Sequence, residues 1–140
     1  MKRYLAPQAL LPAGWRNDVR IDVDATGEIV DVIADAGSAT PEGVERRDGP
    51  VLPGMANLHS HAFQRAMAGL AETRGAGEDD FWSWRERMYR FVLRLTPDDA
   101  FAIARFLYLE ALRHGYTAIA EFHYVHHRPD GAAYPQPAEM

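Results

Sequence analysis

The chain has no cysteine among its 140 residues. Disulfides and thiolate metal sites are therefore excluded, and any bound metal must take its ligands from histidine, aspartate or glutamate. No apolar run approaches the roughly 20 residues that a membrane-spanning helix requires. Met1-Lys2-Arg3 opens like an export signal, but Pro7, Gln8 and Pro12 break the apolar run that should follow. A cytoplasmic protein is expected. Positive charge is also scarce: 15 Lys and Arg stand against 20 Asp and Glu, a net charge of −5. Neither nucleic acid nor an anionic membrane is thus an expected partner. An anionic substrate would need arginines placed locally. Internal repeats and low-complexity segments are missing too. What remains is 47% hydrophobic and 25% charged, the composition of a globular domain rather than a disordered or fibrous chain.

Residues 1–50 read as β-structure. Val19, Ile21 and Val23 alternate with Arg20 and Asp22, the pattern of a half-buried strand. Ala25-Thr26-Gly27 supplies a turn, residues 28–34 a return strand, and residues 35–49 a loop with a short edge strand. From Val51 the pattern changes. A short apolar strand ends at His61, and residues 63–70 suggest a short helix before a glycine-rich loop at Arg74-Gly75-Ala76-Gly77. Asp79 and Asp80 precede an aromatic helix over residues 81–95. There Phe81, Trp84, Met88, Phe91, Val92 and Leu95 recur at three- and four-residue spacing. Arg87, Arg90 and Arg94 fall on its solvated face or pair with acids across a dimer contact. Thr96-Pro97-Asp98-Asp99 is a helix start, with Thr as N-cap, Pro at the first position and acids in the first turn. Ile103, Leu107, Ala111 and Leu112 are its expected buried stripe, and Gly115 its expected stop. Residues 116–122 form a second apolar strand. Two strands joined through helices fit the beginning of a parallel βαβα series.

His59-Ser60-His61 closes the first of those strands. Residues two apart on a strand share a face, so two imidazoles there can bind one cation. The competing reading is two unrelated histidines in a polar loop.

Pro53-Gly54 followed by Asn57-Leu58-His59-Ser60-His61 resembles the first barrel strand of the amidohydrolase superfamily. The asparagine two residues before the first histidine resembles its aminohydrolase branch. Three longer blocks, from His59 to Leu70, from Phe81 to Glu86 and from Ala120 to His127, resemble the formimidoylglutamate deiminase family. The resemblance covers essentially the whole chain and is strongest over residues 50–140. It implies an α/β fold: the N-terminal part of a (β/α)8 TIM barrel over residues 51–140, preceded by a small β-sandwich segment over residues 1–50. A closed barrel takes about 250 residues, so only about two barrel strands are expected in this chain, which is then an N-terminal fragment inactive alone.

The implied reaction is hydrolysis of N-formimino-L-glutamate to N-formyl-L-glutamate and ammonia. The implied cofactor is one divalent metal, usually zinc, with His59 and His61 as first-strand ligands and the remaining ligands on strands outside this chain. The implied partners are a small dicarboxylate substrate and, in the full-length enzyme, a second subunit of a homodimer. Gln64, Arg85 and Tyr124 match substrate-binding positions. Each keeps a plainer reading: Gln64 as a helix-terminal amide facing water, Arg85 as a solvated arginine pairing with Glu86 or Asp80, Tyr124 as a packing residue at the barrel rim. His123 is expected to be structural or to support the site indirectly. His126 and His127 read as a polar loop and His114 as a dipole contact at a helix end. Two other functions stay open: a related aminohydrolase acting on a purine or guanidino acid, and a truncated product without activity.

Overall fold

The computed structural model describes residues 1–70, 80–123 and 125–136; the glycine-rich loop, Asp79 and Tyr124 lie outside them. The chain divides into two compact units, Met1–Pro53 and one opening at Gly54. Among the described residues no helix is long and apolar enough to cross a membrane.

The first unit is one four-stranded sheet, in the order β3-β2-β1-β4, from β1 (Lys2–Leu11), β2 (Gly14–Val23), β3 (Ile29–Ile33) and β4 (Glu45–Arg46). β1 and β2 form a hairpin that pairs Leu11 with Gly14, and the glycine takes the left-handed region at φ 101°. β1 runs through Pro7, the residue that argued against an export signal. Opposite it, Asp18 sits at φ 45°, an uncommon conformation for a non-glycine residue. Leu5, Ala6, Ala9 and Val19 form the buried centre.

The expected alternation in β2 is corrected at Asp22. This carboxylate is buried at 5% exposure rather than solvated. Arg20 grips it with two hydrogen bonds (3.0 and 3.3 Å), and Arg3, its cross-strand partner, approaches to 3.7 Å. A paired carboxylate tolerates burial that an isolated one would not. Val51 is also reassigned. It exchanges main-chain hydrogen bonds with Gln8 and Leu10 on β1, so the parallel strand begins only at Met55.

The second unit contains β5 (Met55–Ser60), a 3-10 helix (Ala62–Met67), α1 (Phe81–Val92), α2 (Pro97–Arg113) and β6 (Tyr116–Glu121). β5 and β6 pair in parallel, as a βα series requires. Met55 N–H begins the ladder on Gly115 O (2.8 Å), and Gly115 takes φ 88° after α2. The helix expected over residues 63–70 is a six-residue 3-10 turn, and α1 ends at Val92 rather than near Leu95. Phe63, Met67, Met88, Leu95 and Val125 form the core, with Trp84, Phe91 and Ile103 packed against it. Arg65 locks the 3-10 helix to α2 through two bonds to the Glu110 carboxylate (2.7 and 3.0 Å).

The α2 stripe needs one correction. Ile103, Leu107 and Ala111 are half-buried, but Leu112 is 58% exposed. At 100° per residue Leu112 shares a face with Phe101 and Leu109, which are exposed too.

Both helices begin with reciprocal caps. Asp80 accepts from Ser83 N–H (2.8 Å) while Ser83 Oγ accepts from Asp80 N–H (3.1 Å). Thr96 Oγ1 accepts from Asp99 N–H (3.2 Å); the Asp99 carboxylate accepts from Thr96 N–H (3.1 Å) and from its hydroxyl (2.6 Å). The Thr96 hydroxyl, then its N–H, hold the Asp99 pKa below the ordinary 3.8. A carboxylate whose pKa falls on folding stabilises the fold above its unfolded pKa and loses that contribution as pH drops through the folded value. Thr96→Ala is therefore expected to cost about 1 kcal/mol near neutral pH, read from the denaturant midpoint. The gap from wild type should narrow below pH 3.8, where Asp99 gains a proton. A gap unchanged in acid would contradict the assigned cap.

Candidate metal centre

β5 carries Asn57 and His59, and its exit carries His61. The Asn57 side-chain oxygen accepts from His59 N–H at 3.1 Å, shaping the strand end. The two imidazole rings lie 4.7 Å apart, centroid to centroid, edge to face at 79°. The two rings thus lie side by side, as the same-face expectation from their spacing requires.

The neighbouring strand decides how His61 presents itself. Phe122 N–H donates to Ser60 O (3.0 Å), which brings the Phe122 carbonyl beside the imidazole, and His61 Nδ1 lies 2.7 Å from that oxygen. A carbonyl can only accept, so Nδ1 carries the proton and Nε2 of the neutral ring carries the lone pair. A protein that uses histidine as a metal ligand orients it in just this way, through a hydrogen bond on the far nitrogen. The donor chemistry therefore fits a borderline cation such as zinc.

Two imidazoles alone do not make a complete zinc site. Among the described residues no group of three or more His, Cys, Asp or Glu is arranged to hold a metal. A second imidazole pair, His123 and His126, has centroids 4.8 Å apart. Its chemistry differs. Val125 N–H donates to His123 Nδ1 (3.3 Å), so the proton of the neutral His123 ring sits on Nε2. That nitrogen is a donor, unlike Nε2 of His61.

Of the other candidate residues, Arg85 lies on α1 and Gln64 reaches that helix from the 3-10 turn. Gln64, in the 3-10 helix, directs Nε2 to Met88 Sδ at 3.7 Å. Arg85 lies three residues before Met88, hence on a neighbouring part of the same helix face. Its guanidinium stacks over Trp82 (5.6 Å) and Tyr89 (5.2 Å) and donates to Tyr89 Oη (2.8 and 3.2 Å). Neither acid suggested by the plainer reading takes it. Glu86 pairs with Arg90 (2.9 Å), and Asp80 caps the helix. Among the described residues Arg85 has no carboxylate partner.

Sequence reasoning missed three contributors: the Phe122 carbonyl, the Glu121 carboxylate, which accepts from Ala62 N–H beside His61 (2.8 Å), and the Tyr89 phenol. Tyr89 was findable, since it stands four residues after Arg85, within reach on a helix. Phe122 and Glu121 act across the strand pairing, about 60 positions from His61, which no local pattern reports.

Residues 1–48 match the family model described as "Formimidoylglutamate deiminase HutF, N-terminal domain", and residues 51–136 match the "Amidohydrolase family" model. The formimidoylglutamate deiminase of Pseudomonas aeruginosa is 55% identical over 140 residues, covering all of this chain and 30% of that protein. A 5-methylthioadenosine/S-adenosylhomocysteine deaminase of Haloarcula marismortui is 30% identical over 108 residues, covering 75% of this chain and 24% of that protein. The crystal structure of an amidohydrolase from Brucella melitensis superposes with a TM-score of 0.90 at 48% identity, over the whole chain and 30% of that structure. An atrazine chlorohydrolase from Arthrobacter aurescens, complexed with zinc, shares the fold at a TM-score of 0.68 and 23% identity, over 86% of this chain and 28% of that one. The chain spans under a third of the length of each. With the family model matched over 51–136, more than half of its length, this chain belongs to the amidohydrolase family.

Proposed function

We propose that these residues supply the first-strand metal ligands and part of the substrate pocket of an enzyme that hydrolyses N-formimino-L-glutamate to N-formyl-L-glutamate and ammonia. The observation that carries the hydrolase reading is the His61 tautomer, set by Phe122 O beside His59. The choice of substrate rests on the name of the Pseudomonas relative and on an arginine that has no acid partner among the described residues.

A bound divalent metal, in this reading zinc, would lower the pKa of a coordinated water to about 7. His59 and His61 hold it, with further ligands from strands beyond residues 1–140. Water oxygen adds to the formimino carbon, the two water protons pass to its terminal nitrogen, the bond between that nitrogen and the carbon breaks, and ammonia leaves while the formyl group stays on glutamate. Arg85 orients the substrate by pairing with one of its two carboxylates, and its stacking on Trp82 and Tyr89 limits the freedom it would otherwise lose on binding. Gln64 and Tyr124 complete the substrate contacts. A cytoplasmic homodimer is part of the same proposal.

In a protein carrying the whole barrel, Arg85→Ala should raise KM for formiminoglutamate about 30-fold or more, the loss of a charge-assisted pair at 2–5 kcal/mol. An unchanged KM would remove the dicarboxylate assignment. A neutral purine substrate, as the name of the Haloarcula relative suggests, would then be the better reading.

A further inference from the structure

We propose that Glu121 is a positioning residue that sets the His61 imidazole for metal binding; the inference rests on the reading of His59 and His61 as ligands. At His61 the chain leaves the parallel ladder. The last main-chain pair is Phe122 N–H to Ser60 O, and the 3-10 helix begins at Ala62. His61 itself gives no side-chain cap to that helix. The first amide of a helix has no intrahelical acceptor, and Ala62 is buried at 3% exposure, so its N–H must find one elsewhere. Glu121 Oε1 accepts it at 2.8 Å.

That bond fixes more than a donor. The amide of Ala62 lies in the same peptide plane as the carbonyl of His61. Holding that N–H sets the ψ of His61, which is 76°. The Phe122 carbonyl meanwhile holds the ring. Two consecutive residues of β6 and its exit therefore clasp His61, one by the backbone behind it and one by the imidazole. Neither clasp uses Nε2, the nitrogen assigned to the metal in the proposed reading.

The rest of the Glu121 side chain is built in. Its Oε2 is buried without a hydrogen-bond partner among the described residues. It borders a cavity of about 70 Å³ that Tyr108 and His123 also line. Tyr108 faces the same carboxylate across the cavity. Its pKa is raised, by burial first and then by the Glu121 charge. A carboxylate kept in such a place, where an alanine would fill the strand position at less desolvation cost, is consistent with work at Ala62.

The test uses the protein with its whole barrel and reads zinc affinity by competition with a chromophoric chelator, together with the visible spectrum of the cobalt-substituted form. Glu121→Ala should weaken zinc about 10- to 100-fold, the usual effect of losing a group that orients a ligand, and should change the cobalt bands. Glu121→Asp, which keeps the charge but draws the oxygen back from Ala62, should also weaken zinc, and it serves if the alanine variant does not fold. Glu121→Gln keeps an acceptor oxygen and should bind nearly as wild type. Thr96→Ala, a comparable loss of stability elsewhere, should leave affinity unchanged. Wild-type affinity in Glu121→Asp or Glu121→Ala, or a glutamine variant as weak as alanine, overturns the positioning role while leaving the metal reading intact. A wild-type protein that binds no zinc sinks the metal reading, and this inference with it.

Discussion

His61→Ala is expected to abolish high-affinity metal binding and to lower kcat/KM by about 10³-fold or more, since a catalytic metal supplies several kcal/mol and each 1.36 kcal/mol is tenfold in rate. The size follows from what the imidazole does. In the proposed reading it is one of two first-strand ligands, 4.7 Å from the other, and among the described residues it is the only one of the pair with its ring on a main-chain carbonyl. Removing it also takes the imidazole donor from the Phe122 carbonyl. His59→Ala should lose metal as well, but it leaves the Phe122 and Glu121 contacts standing and should disturb the fold less. Metal analysis of the purified variants, alongside turnover, checks both. A His61→Ala enzyme with full metal content would contradict the assignment.

Gly54→Ala should carry the largest structural effect. A Cβ at Gly54 would overlap the Thr117 side chain, and the clash includes Thr117 Cβ, so rotating the threonine does not relieve it. Either β5 or β6 must move. Overpacking of this kind costs about 1–3 kcal/mol. The shift falls just before Met55, where the β5–β6 ladder begins, and it reaches the site because the ladder ends at Ser60 and Phe122. Gly54→Ala is therefore expected to lower the thermal midpoint and to weaken metal binding together. A Thr117→Ala second change should recover part of both, because it removes Oγ1 and Cγ2, the atoms nearest the new methyl. If Gly54→Ala left stability unchanged, the close approach of the two strands would be wrong.

What could be read in the sequence was local. The α2 start at Thr96-Pro97-Asp98-Asp99 carries its own cap and its own turn of acids, so four consecutive residues sufficed. Gly115, the β2–β3 turn and the shared face of His59 and His61 are of the same kind. What escaped depends on partners far away in the chain. Asp22 breaks an alternation because Arg3, across the hairpin, and Arg20 neutralise it. Val51 belongs to the first sheet because β1 offers it an open edge. Leu112 fits a buried stripe in spacing, yet only contact with the 3-10 helix and β6 selects which face of α2 is covered. The His61 tautomer required knowing that Phe122 lies alongside. The substrate assignments are a different case: Gln64, Arg85 and Tyr124 came from resemblance to a family rather than from local pattern.

The measurement that bears most directly on the central claim is anomalous diffraction at the zinc edge from crystals of the whole-barrel protein. The account requires one peak about 2.0–2.1 Å from an imidazole nitrogen of both His59 and His61, with His61 bound through Nε2 and its Nδ1 still on the Phe122 carbonyl. A peak bound at His123 and His126 instead, or His61 ligating through Nδ1, would contradict it.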